Sequence, residues 1–307
     1  MHIPVLRDAV LENLLPPDHT VERAVDGTLG AGGHTAALLD QGVDEVLGLD
    51  TDPMALGIAR ANLGAYGERV HIVHASYVQM REESQRLGWP SVGAILLDLG
   101  VSSMQLDTPE RGFAFRSDGP LDMRFDPDDA RPNAADLVNT LDERELADVF
   151  FQYGEEHDSR RIARAVVKQR PYTTTRELAD VVAKAAPHHH DQKIHPATRV
   201  FQALRIAVND ELSAVEQALP QAIDLLKPGG RLAVISFHSL EDRIVKDAFR
   251  LASTDCICPP EIPVCVCGHH ASVRLINRKP ITADEDEIAQ NPRSRSAKLR
   301  VVEKLDV

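Results

Sequence analysis

Asp98 closes an apolar run, Val92 to Leu97, and the chain then breaks at once into the small residues Gly100, Ser102 and Ser103. A buried parallel strand that delivers a carboxylate to the carboxyl edge of an open sheet has this pattern, and ligands bind along that edge. A second exit of the same kind lies upstream, in Asp26-Gly27-Thr28-Leu29-Gly30-Ala31-Gly32-Gly33-His34. Two such exits in one sheet point to a cofactor meeting a substrate.

The upstream glycines let the backbone turn tightly and approach a ligand closely. A P-loop requires Gly-Lys-Ser/Thr after its glycines, but Gly33 is followed by His34. A dinucleotide fingerprint requires glycines at 30, 32 and 35, and position 35 is Thr. The remaining candidate is a nucleoside without phosphates, S-adenosylmethionine. Asp26 can face the cationic amino-acid portion of that cofactor. Asp50 ends the next strand, where a carboxylate accepts hydrogen bonds from both ribose hydroxyls, with Asp52 as the rival for that role. Helix capping and loop solvation are the competing uses of Asp26 and Asp50.

Asp98 would then face the methyl donor. A sulfonium leaving group supplies much of the driving force, so the protein is left with positioning and electrostatics. If the acceptor is an exocyclic amine, its lone pair is delocalised into the base, and a group must receive the amine proton. Asp98 or a backbone carbonyl of Leu99 to Val101 could serve; the alternative is an Asp98 that contacts the cofactor and takes no part in transfer. His238, just past a later strand, is a second candidate, for gripping the substrate base or its phosphate. The competing use of His238 is structural, before a helix capped by Ser239 with Asp242 three residues on.

The elements that must position these residues alternate in the first hundred positions. Strands are expected at Val21 to Asp26, Glu45 to Asp50, Arg69 to His74 and Val92 to Asp98. Helices are expected at Thr35 to Gln41, Pro53 to Ala65 and Tyr77 to Leu87. This rhythm predicts a parallel sheet with helices on both faces. It stops at Ser102 to Pro132, which reads as mostly loop, and gives way to helical patterns at Ala134 to Tyr153, Ser159 to Gln169, Thr175 to Ala186 and Pro196 to Val208. A helix from Asp210 to Lys227 is stopped by Pro228-Gly229-Gly230. A strand at Arg231 to Phe237 and a helix at Leu240 to Leu251 follow. Val273 to Arg278 and Ala297 to Glu303 are expected to pair as an antiparallel hairpin at the sheet edge.

Bulk properties set limits. The 307 residues are 43% hydrophobic, 26% charged and 4% aromatic, which fits a soluble globular protein with an aliphatic core. No apolar run approaches the roughly 20 residues of a membrane span, and Met1 to Asp8 lacks the basic and apolar regions of a signal peptide, so no membrane partner and a cytoplasmic location are expected. A net charge of −13 weighs against nucleic acid, but two basic clusters stand out: Arg160, Arg161, Arg164, Lys168 and Arg170, then Arg293, Arg295, Lys298, Arg300 and Lys304. Each reads most simply as a solvated face. Arg199 and Arg205 share an amphipathic helix, where one outward-facing arginine, free to meet a partner, and one internal salt bridge are expected. The four cysteines form two pairs, Cys256/Cys258 and Cys265/Cys267. Four thiolates could make a zinc knuckle, yet Cys-x-Cys is tighter than the usual Cys-x2-Cys and no metal is expected. His188-His189-His190 reads as a solvated loop. The oligomeric state is open, a homodimer included.

The chain resembles the bacterial family of S-adenosylmethionine-dependent ribosomal-RNA small subunit methyltransferase H (MraW). The resemblance runs through His2-Ile3-Pro4-Val5-Leu6, Asp26-Gly27-Thr28, Gly32-Gly33-His34 and Asp98-Leu99-Gly100-Val101-Ser102-Ser103 with Gln105-Leu106-Asp107. It continues through Arg111-Gly112-Phe113, Gly119 to Arg124, Tyr153 to Glu156, Ser159 to Ala163, His195 to Arg199, Phe201 to Arg205, Ser236 to Arg243 and Asn291 to Ser296. It implies an α/β fold, a Rossmann-like class I S-adenosylmethionine-dependent methyltransferase with an inserted helical domain. The methyltransferase domain would hold residues 1–104 and 209–307, and the substrate-recognition insertion residues 105–208. Carried over by position, the cofactor contacts fall on Gly32, Gly33, His34, Asp50, Tyr77, Asp98 and Gln105. The implied reaction is methylation of the exocyclic N4 of a P-site cytidine in 16S rRNA, presented within the small ribosomal subunit. Amino-methyltransferases of DNA usually carry Asp/Asn-Pro-Pro-aromatic at the fourth strand exit. Asp98-Leu99-Gly100-Val101 lacks it, so DNA is not the expected partner and Phe113, Phe115 or the insertion would hold the base. An assembly factor that binds S-adenosylmethionine without turnover is the rival from another class.

Overall fold

The computed structural model describes residues 4–17, 20–186, 195–259, 261 and 264–306, so the reading of His188 to His190 lies outside the described residues. The chain divides into two compact units, Met1–Gly100 with Leu212–Val307, and Val101–Glu211.

The first unit is built on a seven-stranded sheet: β1 Arg23–Asp26, β2 Glu45–Asp50, β3 Val70–His74, β4 Val92–Asp98, β5 Leu226–Ser236, β6 Val273–Leu275 and β7 Lys298–Lys304. Their spatial order is β3-β2-β1-β4-β5-β7-β6. The first five pair in parallel, while β7 runs antiparallel against both β5 and β6. The two late runs do pair at the sheet edge, with β7 seated between β5 and β6. The fold is therefore a Rossmann-like α/β sheet with an antiparallel edge.

Side-chain alternation explains why its central strands read as unbroken apolar runs. Val25, Leu47, Leu49, Ile95, Leu97, Leu232 and Val234 pack into a core on one face. Ala24, Val46, Ala94, Leu96, Ala233 and Ile235 pack into a second core on the other. Both faces are covered, so every residue of the run must be apolar. The helix Pro53–Leu63 starts where Asp52 caps it, accepting from the Met54 amide at 3.0 Å, with Pro53 in the first turn.

The second unit packs five helices, Ala134–Thr140, Glu143–Gly154, Ser159–Lys168, Thr175–Ala185 and Ala197–Asn209, around Phe150, Ile162, Val166, Leu178, Val200 and Leu204. The stretch expected as one helix from Ala134 is broken at Leu141, because Asp142 caps a new helix in a reciprocal box with Glu145. Ser102 to Pro132 is less irregular than expected: it holds the short helix Ser103–Asp107, boxed by Ser102 and Gln105, and a 3-10 turn at Pro109–Arg111.

Gly154 is where two of these helices cross. A Cβ there would stand 2.6 Å from the Arg199 carbonyl oxygen and 3.2 Å from the Ala203 Cβ. Overpacking of this kind costs about 1–3 kcal/mol, more than the ~0.5–1 kcal/mol alanine gains over glycine in a helix. Gly154→Ala should lower the unfolding free energy in a urea titration; an unchanged or raised midpoint would contradict this packing.

Candidate functional site

The order of the parallel strands reverses between β1 and β4, and in open α/β sheets ligands bind in the crevice at such a switch point. Asp26, Asp50 and Asp98 are the last residues of β1, β2 and β4, three adjacent strands. The sequence therefore brings three carboxylates to one sheet edge.

Backbone hydrogen bonds shape the turn between them. The Gly27 amide donates to the Leu96 carbonyl and the Leu29 amide to the Leu49 carbonyl, each at 2.9 Å, pinning the turn to both neighbouring strands. Gly27 is required by crowding: a Cβ would lie 2.5 Å from Leu97 Cδ2 and 2.9 Å from Tyr77 Cβ. Gly32 sits at φ +83°, a conformation that disfavours any side chain, and a Cβ there would strike Leu63. Gly33 opens the helix Gly33–Asp40.

Each carboxylate has a distinct set of partners. Asp26 is turned inward, accepting from the Thr28 amide at 3.2 Å and the Thr35 hydroxyl at 2.7 Å, and burial raises its pKa to about 6. Asp50 accepts from the Gly30 amide at 2.7 Å and the Asp52 amide at 2.9 Å; burial raises its pKa in spite of those bonds. Asp52, the rival for its role, is fully buried and spent on its cap. The Asp98 amide is fixed by the Thr28 hydroxyl at 2.7 Å, while its Oδ1 is buried with no hydrogen-bond partner. Burial, then the charges of Asp26 and Glu241, push the Asp98 carboxyl up to about 8.

The nearest ring does not relieve this. His34 Nε2 lies 3.7 Å from Asp98 Oδ2, too far for a hydrogen bond. Burial, and then the charge of Arg7, lower the His34 pKa to about 4, so the ring is neutral at neutral pH. Among the described residues, no lysine or arginine pairs with Asp26, Asp50 or Asp98. Among the described residues the edge is thus acidic, desolvated and without a paired cation.

Tyr77 begins the turn after β3 and packs beside Gly27. His238 is the cap of the helix Ser239–Ala252, one residue before the expected Ser239. Its Nδ1 accepts from the Glu241 amide at 3.4 Å, and its Nε2 sits 3.1 Å from Glu241 Oε1 but off the line a hydrogen bond needs. Sequence reasoning missed Glu241, which is buried within Asp98's electrostatic reach; the signal was an acid three residues after His238, the spacing of a capping box. It also missed Thr28 and Thr35, whose hydroxyls hold Asp98 and Asp26.

Gln105 belongs to the second unit, buried, its amide bonded to the Ser102 hydroxyl at 3.2 Å and its side-chain oxygen accepting from the Ser102 amide at 2.9 Å. In the same unit Arg205 is committed inward, its guanidinium 2.8 and 3.0 Å from the Glu211 carboxylate. Arg199 is exposed. Of the two arginines on this helix, Arg205 makes the expected internal salt bridge, which leaves Arg199 as the candidate to face RNA. Phe113 is buried and stacks on Phe125, whereas half-buried Phe115 leans on His195 and Phe201. Arg160, Arg161, Arg164 and Lys168 form an exposed face, with Arg164 paired to Glu143. The other basic cluster is no solvated face at Lys298 and Arg300: both bond to Asp242, at 3.1 and 2.7 Å. Burial alone would raise the Asp242 pKa, but these bonds hold it below its ordinary value.

The comparisons agree with one another. The model of the MraW methylase family matches residues 1–305. The chain is 51% identical over 310 residues to the ribosomal RNA small subunit methyltransferase H of a Geobacter species, covering 99% of this chain and 98% of that protein. Proteins of the same name from Dehalococcoides mccartyi and Heliobacterium mobile are 51% and 50% identical, each match covering 99% of this chain and 86% and 99% of theirs.

The buried carboxyls predict a pH signature. A carboxyl whose pKa rises on folding stabilises the protein below its unfolded value, and that contribution is lost as pH rises through the folded value. For Asp98 the window runs from 3.8 to about 8. Asp26 adds to it only up to about 6, and His34, lowered from 6.5, acts in the opposite direction between about 4 and 6.5. Asp50 is raised as well, so the Asp98 effect is read as the difference between variant and wild type, above 6.5 where it lies outside the Asp26 and His34 windows. Between there and pH 8 the ligand-free Asp98→Asn variant should gain on the order of 1 kcal/mol of unfolding free energy relative to wild type. A pH-independent difference would show that Asp98 is ionised throughout.

Proposed function

The chain belongs to the MraW methylase family, and from that premise we propose that it methylates 16S rRNA of the small ribosomal subunit with S-adenosylmethionine as donor. The finer reading is transfer to the exocyclic N4 of a P-site cytidine, in the cytoplasm, on RNA within the subunit and not on DNA. One observation carries the cofactor assignment: three desolvated carboxylates at a glycine-rich switch point with no lysine or arginine paired to them among the described residues. That edge repels the pyrophosphate of a dinucleotide and attracts a nucleoside that brings its own positive charge.

When bound, S-adenosylmethionine supplies a methyl group on a sulfonium. Asp98 then holds the ligand's positive charge with the carboxylate oxygen that has no protein partner. Asp50 stands at the end of β2 to accept the ribose hydroxyls. Gly32, Gly33 and His34 line the turn, and Tyr77 offers its ring to the base. Asp26 shapes this corner from within, through Thr28 and Thr35. The same geometry supports Asp98 as a cofactor ligand ahead of a proton acceptor, because a carboxyl pushed to about 8 ionises readily only when a cation faces it. His238 and Glu241 act as the cap that fixes the helix behind Asp98.

RNA recognition we assign to the second unit. Its exposed Arg160, Arg161, Lys168 and Arg199 suit phosphate contacts, and half-buried Phe115 suits stacking on a base. A protein of net charge −13 gains little from general attraction to RNA, which supports a substrate already shaped within a ribosomal particle. No described helix is long and apolar enough to cross a membrane.

Tritiated S-adenosylmethionine incubated with small subunits from a strain lacking the enzyme should deposit label on cytidine N4 of 16S rRNA. Label on another base or on DNA, or none, would overturn the reading. In the same assay Asp98→Asn should raise KM for S-adenosylmethionine about tenfold or more, a loss of at least ~1.4 kcal/mol, with kcat little changed. A kcat collapse at saturating cofactor would make Asp98 the proton acceptor instead.

A further inference from the structure

Outside this site, the chain between the helix Ser239–Ala252 and β6 leaves the sheet as an excursion spanning residues 253–272. Its neck is closed by the Ser272 amide on the Ala252 carbonyl at 2.8 Å, the Ala271 amide on Asp255 at 3.3 Å and His269 Nε2 against the Leu251 carbonyl at 3.0 Å. Among the described residues it contains no helix or strand. Its large apolar side chains point outward: Ile257 is 50% exposed, Val264 71% and Val266 76%. A long excursion of this kind, with no regular structure and no core, needs another staple.

Among the described residues of the excursion, the concentrated chemistry is sulfur. The Sγ atoms of Cys256, Cys258, Cys265 and Cys267 all lie within 4.8 Å of one another. Cys256 and Cys265 are 3.4 Å apart, Cys265 and Cys267 3.5 Å, and Cys256 and Cys267 3.9 Å. A tetrahedron with zinc–sulfur bonds of about 2.3 Å has sulfur–sulfur edges of about 3.8 Å. These sulfurs are already close to such a tetrahedron. They are far from disulfide length, which is about 2.05 Å, and all four are free. Backbone amides also aim at the sulfurs: Val266 donates to Cys258 at 3.4 Å, Cys258 to Cys256, and Ile257 and His269 to Cys267. Such N–H contacts to sulfur are the outer-shell bonds that orient thiolate ligands around a metal.

We propose that Cys256, Cys258, Cys265 and Cys267 form a closed, structural tetrathiolate zinc site that fixes this excursion. The short Cys-x-Cys spacing, which argued against a metal, is overcome because the two pairs face each other across the loop and contribute two ligands each. A soft, four-sulfur tetrahedral set selects zinc among common divalent ions. A multi-iron cluster spreads its thiolates over several metal atoms, wider than these four stand. All four positions are taken by protein, so the ion has no open position for catalysis.

Full-length protein purified without chelator under reducing, anaerobic conditions should carry about one zinc ion per chain by elemental mass spectrometry. The Cys258→Ser/Cys267→Ser double variant should lose it. Wild-type protein stripped of metal and titrated with Co²⁺ should develop the sulfur-to-cobalt charge-transfer and tetrahedral d–d bands of a thiolate site, a readout that does not depend on the variant folding. Metal-free protein giving no such bands, iron in place of zinc, or cysteines isolated as disulfides would each overturn the proposal.

Discussion

Desolvation of Asp26, Asp50 and Asp98 at one sheet edge is the constraint to which the rest of the first unit answers. Burying a carboxylate without a cation is costly, and each of these groups responds with a raised pKa. Hydrogen bonds offset part of the penalty at Asp26 and Asp50, but Asp98 keeps a buried oxygen with no partner. Such an arrangement persists because the fold over-determines it. Two apolar cores clamp the central strands, and the strand ends have no freedom to move their carboxylates into water.

The turn that joins these residues is as constrained as the strands. Thr28 links the two exits directly: its amide reaches Asp26 and its hydroxyl takes the Asp98 amide. Gly27 exists where a methyl group would collide with Leu97 and Tyr77. The same residues therefore hold the acidic edge together and keep its backbone accessible. A ligand carrying positive charge completes this corner electrostatically, and a phosphate would oppose it, which connects the buried charges to the methyl donor.

Much of this was legible in sequence. The strand exits at Asp26, Asp50 and Asp98 follow from apolar runs that end on an acid, and the parallel order follows from strand–helix alternation. What was not legible lies in residues whose role depends on long-range neighbours. Thr28 has no distinctive local pattern, and the capping-box spacing of Glu241 marks a helix start but not its nearness to Asp98; only the packed sheet brings the two to that carboxylate. Arg205 and Arg199 share a helix and a charge, yet Glu211 beyond the helix end turns one of them inward. Lys298 and Arg300 read as a basic surface until Asp242, far away in the chain, fastens them. The break at Leu141 was readable, since Asp142 and Glu145 form a capping pair, but the apolar period runs across it and masks the signal.

The central claim, that the acidic edge stays partly protonated until a cationic cofactor arrives, is tested by calorimetry of S-adenosylmethionine binding near neutral pH in buffers of different ionisation enthalpy. The account predicts net proton release on binding, abolished in Asp98→Asn, and no measurable affinity for NAD⁺. Binding without proton release, or equal affinity for the dinucleotide, would contradict it.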